Sequence, residues 1–411
     1  PKARESRYGG RMNTPPISVL RLKPKADARR IRHGHPWAWA DELVLDRRSR
    51  AVPAGALCLL EDGERQPLAI GIASVESKIA FRVLDRDPTA AIDADWLRAK
   101  VAAALDLRKR LFDAPYYRLI HAEGDALPGL IVDRFGDVLV VQPNAIWIED
   151  RLEDLTAILA KLTGATTIIK NGSGRARAQE GLTEDSGMLL GQAPDTALPV
   201  QMNGATYLAD VTGGQKTGLF YDQRPNHAFA ASMAKGARVL DIFSHVGGFA
   251  LAALAGGATQ ALSVDASAPA LALATEGATQ MGQSDRFATR QGDAFAVMED
   301  LATAGESFDI VIADPPAFAP SKQALTQGLR AYERVARLAA PLVAPGGTLI
   351  LCSCSHAADL GKFRQACLRG IGRAGRDPRL IHTGFAGPDH PQHPALSETG
   401  YLKALAFRLL P

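Results

Sequence analysis

Only four cysteines, Cys58, Cys352, Cys354 and Cys367, stand in the 411 residues of this chain. They are too few and too unevenly spaced for a disulfide framework, and Cys352-x-Cys354 lacks the second pair that a zinc site would need, so reduced thiols are expected. No run approaches the roughly twenty apolar residues of a membrane span, and the basic, polar N-terminus carries no apolar signal core. No membrane association is expected, and the cytoplasm is the expected location. Internal repeats and coiled-coil heptads are missing too. His356, His382, His390 and His393 fall close together, but Pro391, Pro394 and the lack of helical spacing deny them metal-ligand geometry. They read as loop residues, and no metal is expected. Gly213-Gly214-Gln215-Lys216-Thr217 approaches a phosphate-binding loop, yet Gln215 stands where a glycine is required, which disfavours an NTPase.

Charge is scarce only in the sum. The net value is +3, whereas residues 1–50 hold 13 Lys/Arg against 5 Asp/Glu and leave the remainder slightly acidic. That basic end points to a polyanion. Residues 1–16 have the Gly/Arg/Pro composition of a disordered tail. Between Leu20 and Asp41, Arg29, Arg30, Arg32, His33 and His35 interleave with Trp37 and Trp39, the mixture that RNA binders use for phosphate contact and stacking. The alternative is a solvated charge run with two core tryptophans. Short apolar runs at 56–60, 68–73 and 79–84 between polar turns predict a small β-barrel. A helix over 95–112, a hairpin turning at Gly136-Asp137, a helix over 151–162 and a strand over 166–170 follow.

The C-terminal half reads as alternating strands and helices. Arg238 to Ile242 is a strand that breaks into Phe243-Ser244-His245-Val246-Gly247-Gly248, and an Ala/Leu-rich helix begins at Phe249. Glycines there let backbone approach a ligand. The next strand ends at Asp265, 24 residues beyond Asp241, a placement suited to ribose hydroxyls. Asp293, followed by Ala294 and Phe295, is a third acidic strand end and suits an adenine amino group. The glycine turn is not Gly-x-Gly-x-x-Gly, so a dinucleotide is disfavoured. S-adenosylmethionine, a nucleoside without phosphate, fits better. A strand series ending in Asp241, Asp265, Asp293 and Asp314 points to a class I methyltransferase, because ligands collect at the carboxyl ends of such strands.

Asp314-Pro315-Pro316-Ala317-Phe318 follows one apolar run, and Ser353-Cys354-Ser355 follows another about forty residues later. A carboxylate and prolines suit the polar edge of a flat ring, Phe318 suits its face, and a thiol suits covalent attack. Cytosine is the ring that fits best. An ordinary pair of strand ends with a buried cysteine is the bland alternative.

Together with these segments, Gly213-Gly214-Gln215-Lys216-Thr217-Gly218-Leu219-Phe220-Tyr221-Asp222-Gln223-Arg224 carries a resemblance over nearly the whole chain. It is similar to the RlmI-type bacterial 23S ribosomal RNA 5-methylcytosine methyltransferases. The resemblance implies an α/β fold: a Rossmann-like class I methyltransferase with a seven-stranded mixed sheet over 201–411. Before it would come a PUA-like RNA-binding β-barrel over 17–90 and a small α+β middle domain over 91–200. It implies Cys354 as nucleophile with Asp314 beside it. The cofactor, S-adenosylmethionine, would meet Asp241, Phe243, Ser244, Gly247, Gly248, Phe249, Asp265, Asp293, Ala294, Asp314, Phe220 and Gln223. Substrate would meet Pro315, Pro316, Phe318, Lys216, Arg224, Arg29, Arg30 and Arg32. The expected partner is 23S ribosomal RNA, with a homodimer left open. Where two-cysteine cytosine methyltransferases carry a second thiol, Pro315-Pro316-Ala317 has none, so the group assisting product release stays unassigned. Two other readings stay open: methylation at a purine nitrogen, which needs no thiol, and a catalytically idle RNA-binding or ribosome-assembly factor.

Overall fold

The computed structural model describes residues 17–174, 177–178, 180–213 and 218–411. The basic tail expected over 1–16 lies outside them. The described residues divide into two compact units, one ending at Ala91 and the other running from Ile92 to Pro411.

In the first unit β1 (Ser18–Arg21), β2 (Trp37–Trp39), β3 (Leu57–Glu61), β4 (Pro67–Ala73) and β5 (Ile79–Asp85) form one sheet in the order β1-β3-β4-β5-β2. Strand alternation turns Cys58 and Leu60 of β3 inward. They join Leu20, Ile31, Ala38 and Phe81 in a core of their own. A short helix, Ala28–Arg32, starts where the Asp27 carboxylate accepts from the Arg29 amide.

The second unit holds a second five-stranded sheet, a two-stranded hairpin and a seven-stranded sheet. β6 (Tyr116–His121), β7 (Leu130–Phe135), β8 (Val138–Pro143), β9 (Thr167–Lys170) and β10 (Gly187–Leu190) run in the order β10-β9-β8-β7-β6. The helix Leu152–Thr163 makes the crossover between parallel β8 and β9. A hairpin, β11 (Leu198–Met202) and β12 (Ala205–Ala209), leads into the last sheet. That sheet contains β13 (Arg238–Ile242), β14 (Gln260–Asp265), β15 (Phe287–Gln291), β16 (Phe308–Ala313), β17 (Val343–Ser353), β18 (Pro378–Gly384) and β19 (Lys403–Leu409), in the order β15-β14-β13-β16-β17-β19-β18. The first five in that order are parallel, β19 runs antiparallel to β17, and β18, antiparallel to β19, returns to the direction of the first five. β13 and β16 are buried along almost their whole length, as helices on both faces of a parallel sheet require.

Residues 92–200 keep a sheet of their own but belong to the same compact unit as the large sheet. Buried polar bonds explain the union. Arg108 grips Asp125 through two nitrogens and also donates to the Asp389 carbonyl. The Arg118 amide donates to the Asp389 carboxylate, and Arg118 itself pairs with buried Asp133. Tyr221 donates to the Arg134 carbonyl. Leaving any of these groups unpaired in the interior would cost about 1–3 kcal/mol.

Candidate active site at the carboxyl ends of the parallel strands

Parallel pairing delivers five chain segments to one edge of the large sheet: Phe243–Gly248 after β13, Asp265 at the end of β14, Asp293 beyond β15, Asp314 after β16 and Cys354 after β17. Strand order reverses between β13 and β16, where sheets of this kind open a crevice for ligands.

The turn after β13 is tightly held. Phe243 and His245 adopt left-handed conformations with φ of 63° and 50°, as does Gly247 at 79°. Such backbone persists in non-glycine residues only when the surroundings enforce it. Asp265 supplies much of that enforcement: its carboxylate accepts from the His245 amide at 2.9 Å and the Ser267 amide at 2.8 Å. Asp241 is only 1% exposed, and its Oδ2 accepts from the Ala250 amide at 3.0 Å. Burial pushes this carboxyl up to about 8, with the charges of Asp314 and Asp265 adding to the effect. Asp241 Oδ1 and Ser244 Oγ are buried without a hydrogen-bond partner. Native interiors seldom leave such acceptors orphaned. A ligand bringing an amine and hydroxyl donors would satisfy them, so S-adenosylmethionine fits this turn.

Asp293 caps the helix Ala294–Thr303 by accepting from the Ala296 amide at 3.0 Å. Phe243, Phe295 and Phe318 bring three strand ends together, with ring centroids 6.2 to 6.5 Å apart. Phe220 reaches the turn through His245, its ring 5.2 Å away.

The thiol corner is pinned from several sides. Gln223 is buried, donates to Asp314 Oδ2 at 2.8 Å and accepts from Asn226 at 2.6 Å. Pro315 is buried, while Pro316 is exposed and Phe318 half-buried. Cys354 is partly accessible, unlike the other three cysteines. The serines on either side of it are buried: Ser353 donates to the Tyr332 hydroxyl at 2.9 Å, and Ser355 shares a 2.7 Å bond with the same oxygen. Ser355 Oγ also accepts from the Ala319 amide at 3.0 Å, which ties the Asp314 loop to the Cys354 loop. Lys403, opposite Ser353 across the β17–β19 pair, donates to the carbonyls of Ser355 and Ala358. Tyr332 and Lys403 escape a motif-based reading because neither stands in a recognisable motif: Tyr332 is one of several polar residues on the helix Leu325–Ala339, and Lys403 opens the strand β19.

Several expected ligand contacts are placed elsewhere. The Phe249 ring lies in the core against His227, centroids 4.5 Å apart, and Ala294 is buried in the first turn of its helix. Arg224 is consumed internally: it donates to the Tyr116 carbonyl and lies over Phe112, 4.2 Å from the ring centre. Arg30 forks onto both oxygens of Glu42, and Arg32 bonds Asp62 at 2.6 Å. Arg29 is exposed, as are Arg47, Arg48 and Arg50 on the neighbouring short helix. Trp37 is buried and meets Trp39 edge to face at 5.7 Å. Of the histidines read as loop residues, His382 is in a strand, and His390 is in a loop but inside the protein. His390 is buried against Asp389 and His121, and burial pushes it down to about 3. His382 lies in β18 and stacks on Phe229. Lys216 lies outside the described residues.

Comparison with known proteins agrees with this geometry. The S-adenosylmethionine-dependent methyltransferase family matches residues 117–408, and a PUA-like domain matches residues 20–86. Ribosomal RNA large subunit methyltransferase I of Photobacterium profundum is 34% identical over 389 residues, 93% of this chain and 97% of that protein. The protein of the same name from Aeromonas salmonicida is 32% identical over 399 residues, covering 95% of this chain and all of that one. The crystal structure of SMU.776, described as a methyltransferase and complexed with SAH, superposes with a TM-score of 0.81, covering 95% of this chain and 100% of that one; at 18% identity it speaks for the fold alone. A PUA-like domain thus precedes a methyltransferase fold whose crevice offers the unsatisfied acceptors that the cofactor needs, and the chain belongs to the S-adenosylmethionine-dependent methyltransferases, in the family of the ribosomal RNA large subunit methyltransferases I.

Proposed function

We propose that this protein methylates C5 of one cytidine in 23S ribosomal RNA, using Cys354 as a covalent nucleophile. The observation that carries the reading is the meeting of a partly accessible thiol, the Asp314-Pro315-Pro316 loop and the orphaned acceptors of the β13 turn at one sheet edge. The names of its relatives support a ribosomal RNA substrate, and an enzyme acting on it would work in the cytoplasm. When bound, the cofactor provides an electrophilic methyl group on a sulfonium sulfur. Asp241, Ser244, Asp265 and Asp293 would hold it, with Phe243 and Phe295 beside it.

Everything else falls to this chain's own residues. Cytosine C5 is a weak nucleophile, and the target base must first leave its stack. Attack of the Cys354 thiolate at C6 turns C5 into an enamine carbon that accepts the methyl group. Loss of the C5 proton then expels the thiolate. Asp314, held by Gln223, faces the polar edge of the base, and Phe318 offers a ring face. Residues 17–90 would add affinity for RNA through exposed arginines.

RNA carrying 5-fluorocytidine at the target tests the covalent step. Fluorine cannot leave as a proton does, so enzyme and RNA should stay joined and run as a slow band only when cofactor is present. Methylation without any trapped band would move the chemistry to a nitrogen atom. RNA binding without methylation of any ribosomal substrate would favour an assembly factor.

A further inference from the structure

Lys403 presents an unusual charge balance. Its side chain is almost entirely inside the protein, at 3% exposure. Two of its three donors go to main-chain carbonyls, Ser355 O and Ala358 O, both at 2.7 Å. Neither acceptor carries a negative charge, and Lys403 takes part in no ion pair among the described residues. Holding an ammonium in the interior is expensive unless a countercharge is near. A lysine kept there against neutral acceptors needs an anion to offset that cost.

The carbonyl of Ser355 belongs to the residue directly after Cys354, so the ammonium lies under the loop that carries the thiol. Nearby charge is sparse. Asp359, at the start of the helix Leu360–Arg373, acts on Lys403 only at a distance, and Cys354 precedes it among the influences that favour the charged lysine. Burial pushes Lys403 down to about 8, which leaves it mostly protonated at neutral pH. The other titratable groups around this corner are Asp314 after β16, Tyr332 on the helix Leu325–Ala339, Cys352 in β17, Tyr401 before β19 and exposed His356. Asp314 is acidic, as is Asp222, which accepts from Tyr401 at 2.7 Å, and Tyr332, Tyr401 and Cys352 are pushed up by burial, so that of these groups only exposed His356 could add positive charge to that of Lys403.

We propose that Lys403 is a positioning residue that holds the Cys354 sulfur as a thiolate, by lending an uncompensated ammonium to the loop that carries it. A cation beside a cysteine favours the anion, which is the form that attacks. The inference rests on Cys354 being the nucleophile, and it supplies what that chemistry requires, since a free thiol with a pKa near 8.5 is only a few per cent thiolate at neutral pH.

The test is the pH dependence of Cys354 alkylation by iodoacetamide in the full-length protein, followed by peptide mass spectrometry. Cys58, Cys352 and Cys367 are buried and act as internal references. In the wild type, the alkylation midpoint should lie clearly below that of an ordinary thiol. In Lys403→Gln, which keeps a donor for the carbonyls and loses the charge, the midpoint should rise and the rate at pH 7 should fall by about tenfold, the equivalent of one pKa unit. Lys403→Met should behave the same way. A wild-type midpoint at or above about 8.5 overturns the proposal even if no variant folds, and so does a folded Lys403→Gln protein with an unchanged profile. Alkylation needs neither RNA nor cofactor. A depressed midpoint alongside failed 5-fluorocytidine trapping would therefore refute the cytosine chemistry and leave the lysine–thiolate pair standing.

Discussion

Around the helix Ala28–Arg32, opposite charges meet each other in partly exposed pairs, Arg30 with Glu42 and Arg32 with Asp62. At the ends of β13, β14 and β15, carboxyl groups are gathered instead. Asp241, Asp265 and Asp293 take no ion pair from any described lysine or arginine and are held by backbone amides. The first arrangement lowers electrostatic cost and leaves little to offer a partner. The second accumulates cost, most visibly in the buried carboxyl of Asp241, and releases it only when a ligand supplies donors or positive charge. Perturbed, uncompensated groups in a crevice are for that reason better indicators of function than charge density on a surface.

The largest expected effect tests the reactive end of this contrast. Cys354→Ala should lower methylation on the order of a thousandfold or more, as loss of a covalent nucleophile does elsewhere. It should leave cofactor binding intact, because the cofactor groups lie on other strand ends. Cys352→Ala, two residues back in β17 and 1% exposed, should cost about 1 kcal/mol of stability and little chemistry. Equal activity losses in both variants would show that the strand, not the thiol, matters.

Asp265→Ala should weaken cofactor binding tenfold or more by calorimetric titration, since a charged acceptor contributes about 1.5–3 kcal/mol. The variant also releases the amides of His245 and Ser267. Asp265→Asn should therefore bind better than Asp265→Ala, because it keeps an acceptor for the turn. Unchanged affinity in the alanine variant would remove Asp265 from the site.

Asp241 yields a pH signature. Its carboxyl is raised from 3.8 to about 8 in the folded protein. The protonated form is thus favoured by folding, and the stability this contributes is full below about pH 4 and disappears as pH rises through about 8. Asp241→Asn should accordingly gain thermal stability relative to the wild type as pH climbs across that window, without cofactor. Cofactor binding to the wild type should release protons near pH 7, visible as a dependence of calorimetric heat on buffer ionisation enthalpy. A constant stability difference between variant and wild type from pH 5 to 8 would mean that Asp241 stays charged.

How far these features were legible in sequence depends on whether topology or partner choice decides them. The strands ending at Asp241, Asp265 and Asp314 could be read because a parallel sheet forces successive strand ends to one edge, whatever the side chains do. The roles of Arg30 and Arg224 could not, because a long cation pairs with whichever acceptor the tertiary fold brings near, and Glu42, Tyr116 and Phe112 are not marked in advance. Phe249 misled for a related reason: it adjoins the glycine turn, but the helix Gly248–Ala255 points its ring into the core. Lys403 and Tyr332 were invisible because Lys403 meets carbonyls 48 and 45 positions away, and Tyr332 reaches the two serines from a helix on the face of the sheet.

The smallest effect returns to the basic end. Arg30→Ala removes a half-buried ion pair and should cost about 1 kcal/mol or less of stability in the first unit, while leaving the salt dependence of RNA binding unchanged, since that guanidinium is already committed to Glu42. Arg29 is exposed and enters no ion pair among the described residues. Arg29→Ala, or a change at exposed Arg47, Arg48 or Arg50, should reduce the logarithmic salt slope by about 0.7 for each phosphate left without its cation on single-stranded RNA. Fluorescence anisotropy of a labelled ribosomal fragment across a salt series measures both quantities at once. If Arg30→Ala flattens the slope as much as Arg29→Ala does, the Glu42 pair opens when RNA binds, and the neutralised patch is a binding surface held in reserve.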